Sequence, residues 1–493
     1  ATKSLNMKYR SNFRILCAAL ILPLVFSCKQ DRDKPISPEG VYASVGYGRI
    51  VKINNGKYLL ADVTEISCIP LMEGELSEFG EALQFKNDTL SLKDGINTYY
   101  FTSIEDAPSV CKSGSAERAK AEAMANDPEH NFEVLWKTFE EHYAYFELRG
   151  VDPKKMYAEY RPKISQKTTE PELFFVLSEM LDSFGDGHIG ISAPDEIEDA
   201  AMKLQEAKNS EEGPANGDEV EAPKERLRNY KVSEAVAKRY IPEGTSIKNG
   251  NLRWGILEEN IGYLQMNQMM GMAEYGLSDT LSYRDYWMAY FERAENSGDD
   301  NVDELEGIAN SMDAIMNDLA NTNALIIDVR FNGGGKDEVG MTVLERLNDT
   351  ERVVFTKKGR FGDGFTPVIK VTQTASENPY KRPVYLLIAT ESASATEIMA
   401  LSSLSMPNVT RIGSKTEGVF SDILDKSLPN GWEFGLSNEV YLDLEGNNYE
   451  SKGISPDLEM GYPRDTQKFL RNVLDDLENG GDRAIEKAFE IMN

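Results

Sequence analysis

The run Val384-Tyr385-Leu386-Leu387-Ile388-Ala389 is uncharged from end to end and passes straight into Thr390-Glu391-Ser392-Ala393-Ser394-Ala395-Thr396-Glu397. Six apolar residues opened by Arg382-Pro383 and closed by small polar ones predict a short buried strand. The small residues that follow predict an immediate helix start, and Ser394-x-x-Glu397 has the spacing of a capping box. This junction restricts the fold strongly. A buried strand that feeds a helix without a long loop belongs to a layered α/β sheet. It also places a serine hydroxyl beside the first amides of a helix, where a developing anion is favoured. Ser394 is therefore a candidate nucleophile. It reads as well as a plain helix cap, and this stretch alone does not choose between the two.

A second strand of the same kind supports the layered reading. Ile308, Met312, Ile315 and Leu319 mark an amphipathic helix that leads into Ala324-Leu325-Ile326-Ile327-Asp328-Val329-Arg330 and then Phe331-Asn332-Gly333-Gly334-Gly335. Helix, buried strand and glycine turn predict a site at the strand's carboxyl end. The loop lacks the Gly-Lys-Ser/Thr of a phosphate-binding loop and the spacing of a dinucleotide site. Glycine amides also suit an oxyanion hole, since no side chain blocks the approach.

A serine hydroxyl needs a base within hydrogen-bond reach, and the chain has three histidines. His130 and His142 lie on charged stretches and are expected to be solvated. His188 sits in Phe184-Gly185-Asp186-Gly187-His188-Ile189-Gly190, a glycine-flanked turn before an alternating strand. Such a turn can hold a base or merely a structural histidine. Lys415, on the loop after the Ser394 helix, is the lysine alternative. With few histidines and no Cys/His cluster, no metal site and no cofactor are expected. The formal net charge of −29 argues against nucleic acid and against anionic membrane surfaces as partners.

In chain order, residues 1–27 have the layout of a signal peptide, with Lys8, Arg10 and Arg14 before the apolar run Ile15 to Phe26. Val25-Phe26-Ser27-Cys28 resembles the lipobox of bacterial lipoproteins, with Cys28 the lipidated residue and 28–39 a tether. An ordinary secretory signal with a chance cysteine is the other reading. Residues 40–112 read as a β-rich accessory domain, with Asn54-Asn55-Gly56 as a hairpin turn. Cys68 and Cys111 in this region are either a disulfide or two buried thiols. Residues 113–195 read as a helical lead-in, with Phe132, Leu135, Trp136, Phe139 and Tyr143 on one face. Residues 196–250 read as an acidic, low-complexity insertion and linker. Tyr283 to Asp303 reads as a surface insertion within a core of 251–462, and 463–493 as a C-terminal helix.

Four motifs occur in order: Asp186-Gly187-His188, Ile326 to Gly335, Ala393-Ser394-Ala395-Thr396-Glu397, and Gly453-Ile454-Ser455-Pro456-Asp457. Together, over roughly residues 130 to 460, they resemble the C-terminal-processing (tail-specific) serine proteases. The helical lead-in resembles the tricorn-core branch, with no evident PDZ segment. The resemblance implies an α/β, crotonase-like (ClpP/crotonase superfamily) core. It implies peptide-bond hydrolysis through an acyl-enzyme on Ser394, protein or peptide substrates, and His188 as general base. Glu450, just before the closing motif, would orient the relay, although a solvated loop carboxylate is the other reading. The amides of Gly334 and Ala395 would form the oxyanion hole. The lysine base of the PDZ-bearing branch has no counterpart, since Gly418-Val419-Phe420 stands there, and Gly187 replaces the serine that precedes the tricorn-branch histidine. The expected protein is a lipid-anchored serine endopeptidase of a bacterial cell envelope, of undefined oligomeric state. The alternative is an inactive relative that binds peptides or small molecules.

Overall fold

The computed structural model describes residues 38–112, 122–211 and 226–492. The expected signal peptide, Cys28 and most of the tether lie outside the described residues, as does the middle of the acidic insertion. Two compact units emerge. Neither is one continuous stretch, because 359–367 and 423–439 join the first unit although both fall inside the expected core of 251–462.

The first unit opens with seven antiparallel strands between Gly40 and Ile104. The hairpin joining Arg49–Asn54 to Lys57–Val63 turns at Asn55 and Gly56, both at positive φ, the conformation such two-residue turns need. Tyr42, Val51, Ile53, Tyr58, Leu90 and Phe101 form its apolar core. Cys68 and Cys111 are joined as a disulfide with Cα atoms 5.2 Å apart, which decides between the two cysteine readings. The helix Pro128–His142 is capped by Asp127, whose side chain accepts from the Glu129 and His130 amides. Its expected apolar face is the buried one: Phe132, Leu135, Trp136 and Phe139 all lie inside, as does Tyr143 just beyond its end. His142 is a correction to the solvated reading. It is 8% exposed, and burial beside Lys426, Arg49 and Arg360 lowers its pKa to about 3.

The second unit is built on a seven-stranded sheet. Ile261–Met266, Ala324–Asp328, Val384–Ile388, Val409–Gly413 and Leu458–Glu459 run parallel, and Leu252–Leu257 and Thr245–Ile247 add antiparallel at one edge. The strands Ile261–Met266, Ala324–Asp328 and Val384–Ile388 are buried at every position, as parallel central strands covered on both faces must be. The C-terminal segment forms two helices, Thr466–Glu478 and Arg483–Met492. Their Phe469, Leu470, Val473, Ile485 and Ala488 pack with Ile326, Phe331 and Leu387 in one core.

Both stretches read as insertions are helical in large part. Asp195–Glu211 and Asn229–Tyr240 are helices, and Val232 and Val236 of the latter are buried in the sheet's core. Acidic composition concealed a short apolar stripe there. Tyr283–Glu295 and Asp300–Leu319 are also helices. Glu304 is buried between them, accepting from the Tyr290 hydroxyl and from the amides of Gly271 and Met272.

Candidate active site

The candidate nucleophile stands where the strand Val384–Ile388 gives way to the helix Ala395–Ser403. The turn between them is tied down from within. Ser392 Oγ donates to the Val329 carbonyl and accepts from the Ala389 amide, and the Ala393 amide donates to the Asn332 carbonyl. This leaves Ser394 at φ +54°, ψ −126°, a conformation that costs a non-glycine residue on the order of 1–3 kcal/mol. Its side chain is partly exposed and makes no cap hydrogen bond to the helix. The expected capping box is therefore absent. Glu397 turns the other way and accepts from the amides of Gly418 and Val419, at 2.8 and 2.6 Å. Burial raises its pKa to about 8, against the opposing hydrogen bonds from Thr416 and these two amides.

The glycine turn after Ala324–Asp328 lies against the serine. A Cβ on Gly334 would fall 2.7 Å from Ser394 Cβ, and one on Gly335 would fall 2.4 Å from the Met269 backbone. Both glycines have positive φ, so each is required for space and for conformation. Asn332 fixes the turn. Its Oδ1 accepts from the Gly334 amide at 3.0 Å and from the Thr396 hydroxyl at 2.7 Å. Of the two amides expected to form an oxyanion hole, that of Gly334 is thus donated to Asn332, while that of Ala395 opens the helix.

The earlier half of the same motif does different work. Arg330 is fully buried between Asp328 and Asp482, with nitrogen–oxygen distances of 2.7 to 2.9 Å to both carboxylates and a further bond to the Tyr462 hydroxyl. It ties the strand end to the C-terminal helices. Asp457 of the closing motif accepts from the Arg411 amide and pairs with its guanidinium.

Glu450 is buried, not solvated, and Oε2 accepts from the Phe420 and Ser421 amides at 2.8 and 3.3 Å. With Glu397, it therefore holds four successive amides, 418 to 421, in the segment that lacks the family lysine. Lys415 is exposed. These groups all belong to the second unit. His188 belongs to the first, where Asp186 shapes its turn. Asp186 Oδ1 accepts from the His188 amide and the Ser437 hydroxyl, and Oδ2 accepts from Tyr143. His188 itself is partly exposed.

Sequence reasoning missed Asn332 and the Glu397 clamp as supports of the site. The capping-box spacing pointed at Glu397 but gave it the wrong partner.

Residues 260–460 match the model of peptidase family S41, and residues 124–182 match that of the tricorn protease C1 domain. Residues 260–460 are thus an S41 peptidase region, the family of the C-terminal-processing serine proteases, and the match supports a peptidase hydrolase. No curated protein matches it in a sequence search. Among solved structures it is similar to a protein of Parabacteroides merdae described as a candidate peptidase. That likeness has 22% identity over 74% of this chain and 96% of the other, with a TM-score of 0.53, and shows a shared fold. Mature CPAF (10% identity, 72% and 97% coverage, TM-score 0.47) and the tricorn protease (14%, 90% and 45%, TM-score 0.38) also match.

Proposed function

We propose that the chain is an exported, lipid-anchored serine peptidase with a crotonase-like core, in which Ser394 attacks the peptide carbonyl to form an acyl-enzyme. The observation that carries the reading is the Ser394 turn: a partly exposed serine at strained φ on a strand-to-helix junction, its hydroxyl unused as a cap. In this mechanism His188 removes the hydroxyl proton and returns it to the leaving amine, and Glu450 orients the relay. The Ala395 amide and the start of the helix dipole stabilise the oxyanion. The Gly334 amide joins them once it gives up Asn332. Cys28 carries the anchor, and the Cys68–Cys111 disulfide suits an oxidising envelope compartment. The protein needs no metal or cofactor in this reading.

The test is labelling of the full chain by a serine-reactive fluorophosphonate, with casein hydrolysis measured in parallel. Labelling lost in Ser394→Ala supports the reading. A native chain that neither labels nor cleaves would instead be an inactive binding relative.

A further inference from the structure

The sheet edge formed by Thr245–Ile247 and Leu252–Leu257 contains a cavity of about 430 Å3 whose lining belongs wholly to the second unit. Arg253 projects from the strand Leu252–Leu257 into its wall. Its guanidinium donates to Gln265 Oε1 at 2.8 Å and contacts Ser233 Oγ at 3.4 Å. It makes no ion pair within 4 Å with any described residue, and burial lowers its pKa against the opposing attraction of Glu234 in the same lining. Of the other charges of the lining, Lys248 pairs with Glu274 and Lys238 with Glu234, while Asp279 accepts from the Asn249 amide. A half-buried guanidinium with no carboxylate in direct contact is a ready partner for one, because its fork matches carboxylate geometry.

Two further observations point the same way. Asn251 and Asn267 line the cavity and are 4% and 6% exposed. Each spends its Nδ2 on a backbone carbonyl, of Met270 and Gly250 respectively. Each is left with a buried Oδ1 that has no donor, and such groups are normally satisfied. A peptide amide supplies the missing donor. The facing wall is aromatic: Tyr230 and Tyr283 stack at 4.1 Å, with Trp287 against Tyr283, which suits the apolar part of a side chain. The cavity is also joined to the candidate active site by chain. Asn267 and Gln268 line it, and the next residue, Met269, is hydrogen-bonded to Gly334 and Lys336, on the turn that abuts Ser394.

We infer that this cavity is a substrate-binding pocket that takes a carboxylate-bearing peptide segment, with Arg253 receiving the carboxylate and the Asn251 and Asn267 oxygens receiving amide N–H groups. The inference rests on the peptidase reading of Ser394 for its role, but the binding it asserts does not require cleavage.

The experiment therefore measures binding to the full chain carrying Ser394→Ala. Four fluorescent peptide pools of otherwise identical random composition are compared by anisotropy: one position fixed as Glu or Gln, each with a free or an amidated C-terminus. Binding tighter by about tenfold or more for the Glu pools identifies an acidic side chain as the ligand; the same gain for the free-ended pools identifies a chain terminus. Either preference should disappear in Arg253→Gln and survive in part in Arg253→Lys, both first checked for native thermal unfolding. If Arg253→Gln unfolds, Asn267→Asp serves in its place: it sets a like charge in the cavity and should cost the same preference. Equal binding of all four pools, or a preference unchanged by these substitutions, overturns the inference. Fluorophosphonate labelling of the native chain is scored separately, so failure of the serine reading leaves the binding result interpretable.

Discussion

Two neighbouring strands of one sheet end within a few residues of each other in register, and their ends are built on opposite principles. At the end of Ala324–Asp328, Arg330 is saturated: two carboxylates and a phenol take its donors, and nothing there is exposed. At the end of Val384–Ile388, Ser394 has a costly backbone conformation, partial exposure and a hydroxyl that the helix does not use. Between them, Asn332 and Gly334 link the two. A buried ion network that satisfies itself has nothing left to offer a substrate, so it serves the fold. A strained turn whose serine does not cap its own helix is maintained at a cost to stability, and function is the ordinary reason for such a cost. The family motif from Ile326 to Gly335 therefore contains a structural half and a half that faces the site.

The comparison is broken most sharply at Ser394. Ser394→Ala is expected to lower casein hydrolysis by on the order of 10^4-fold or more, because members of a nucleophile–base pair act as a unit. His188→Ala should do nearly the same, and the double variant little more. Lys415→Ala should be mild. Activity that survives in folded Ser394→Ala would end the serine mechanism. The opposite profile is expected one strand away. Arg330→Met leaves Asp328 and Asp482 buried without their cation, and should destabilise the second unit by about 3–5 kcal/mol, read as a lower denaturation midpoint. Unchanged stability in that variant would mean the network does not hold the strand end.

How much of this was legible in the chain follows from what each residue needs to be recognised. The buried strands, the glycine turn, the Asn54-Asn55-Gly56 hairpin and the helix carrying Phe132 and Phe139 depend on local pattern, and each appears as read. The same holds for the family, since its motifs are short and ordered along the chain. What stayed hidden depends on partners far away in sequence. Glu397 looked like half of a capping box, but its partners are 21 and 22 residues on. Arg253 lies in an ordinary alternating strand, and only the cavity distinguishes it. His142 follows two glutamates and looks solvated, but the helix turns it inward. A division into continuous domains had no means to assign 359–367 and 423–439 to the first unit.

A pH measurement sharpens the contrast at Glu397. Burial raises its carboxyl to about 8 in the folded protein, against an ordinary value near 4.3. Below the ordinary value both states hold the proton and the contribution to stability is full. As pH rises from there to about 8, the unfolded chain releases its proton and the folded one keeps it, so stability falls. The slope from one such group is at most about 1.4 kcal/mol per pH unit. Glu397→Gln should flatten the fall in that window while keeping an oxygen for one of the two amides. A slope identical to that of the native protein would remove Glu397 as its source.

The smallest effect tests whether the Ser394 turn is strained at all. Serine and alanine both carry a Cβ at φ +54°, close to where Gly334 must lack one. Ser394→Gly removes that Cβ and relieves a cost of about 1–3 kcal/mol. It also gives the unfolded chain more freedom, which takes back about 0.5–1 kcal/mol. The net expectation is that Ser394→Gly is more stable than Ser394→Ala by about 1 kcal/mol, with both equally inactive. Chemical denaturation of the two variants side by side reads the difference, and their shared lack of the hydroxyl cancels any contribution it makes. A gain would mean that the turn sacrifices stability to present Ser394, unlike the saturated end at Arg330. Equal or lower stability of the glycine variant would show that the conformation is accommodated without strain, and the distinction between the two strand ends would then rest on exposure and hydrogen bonding alone.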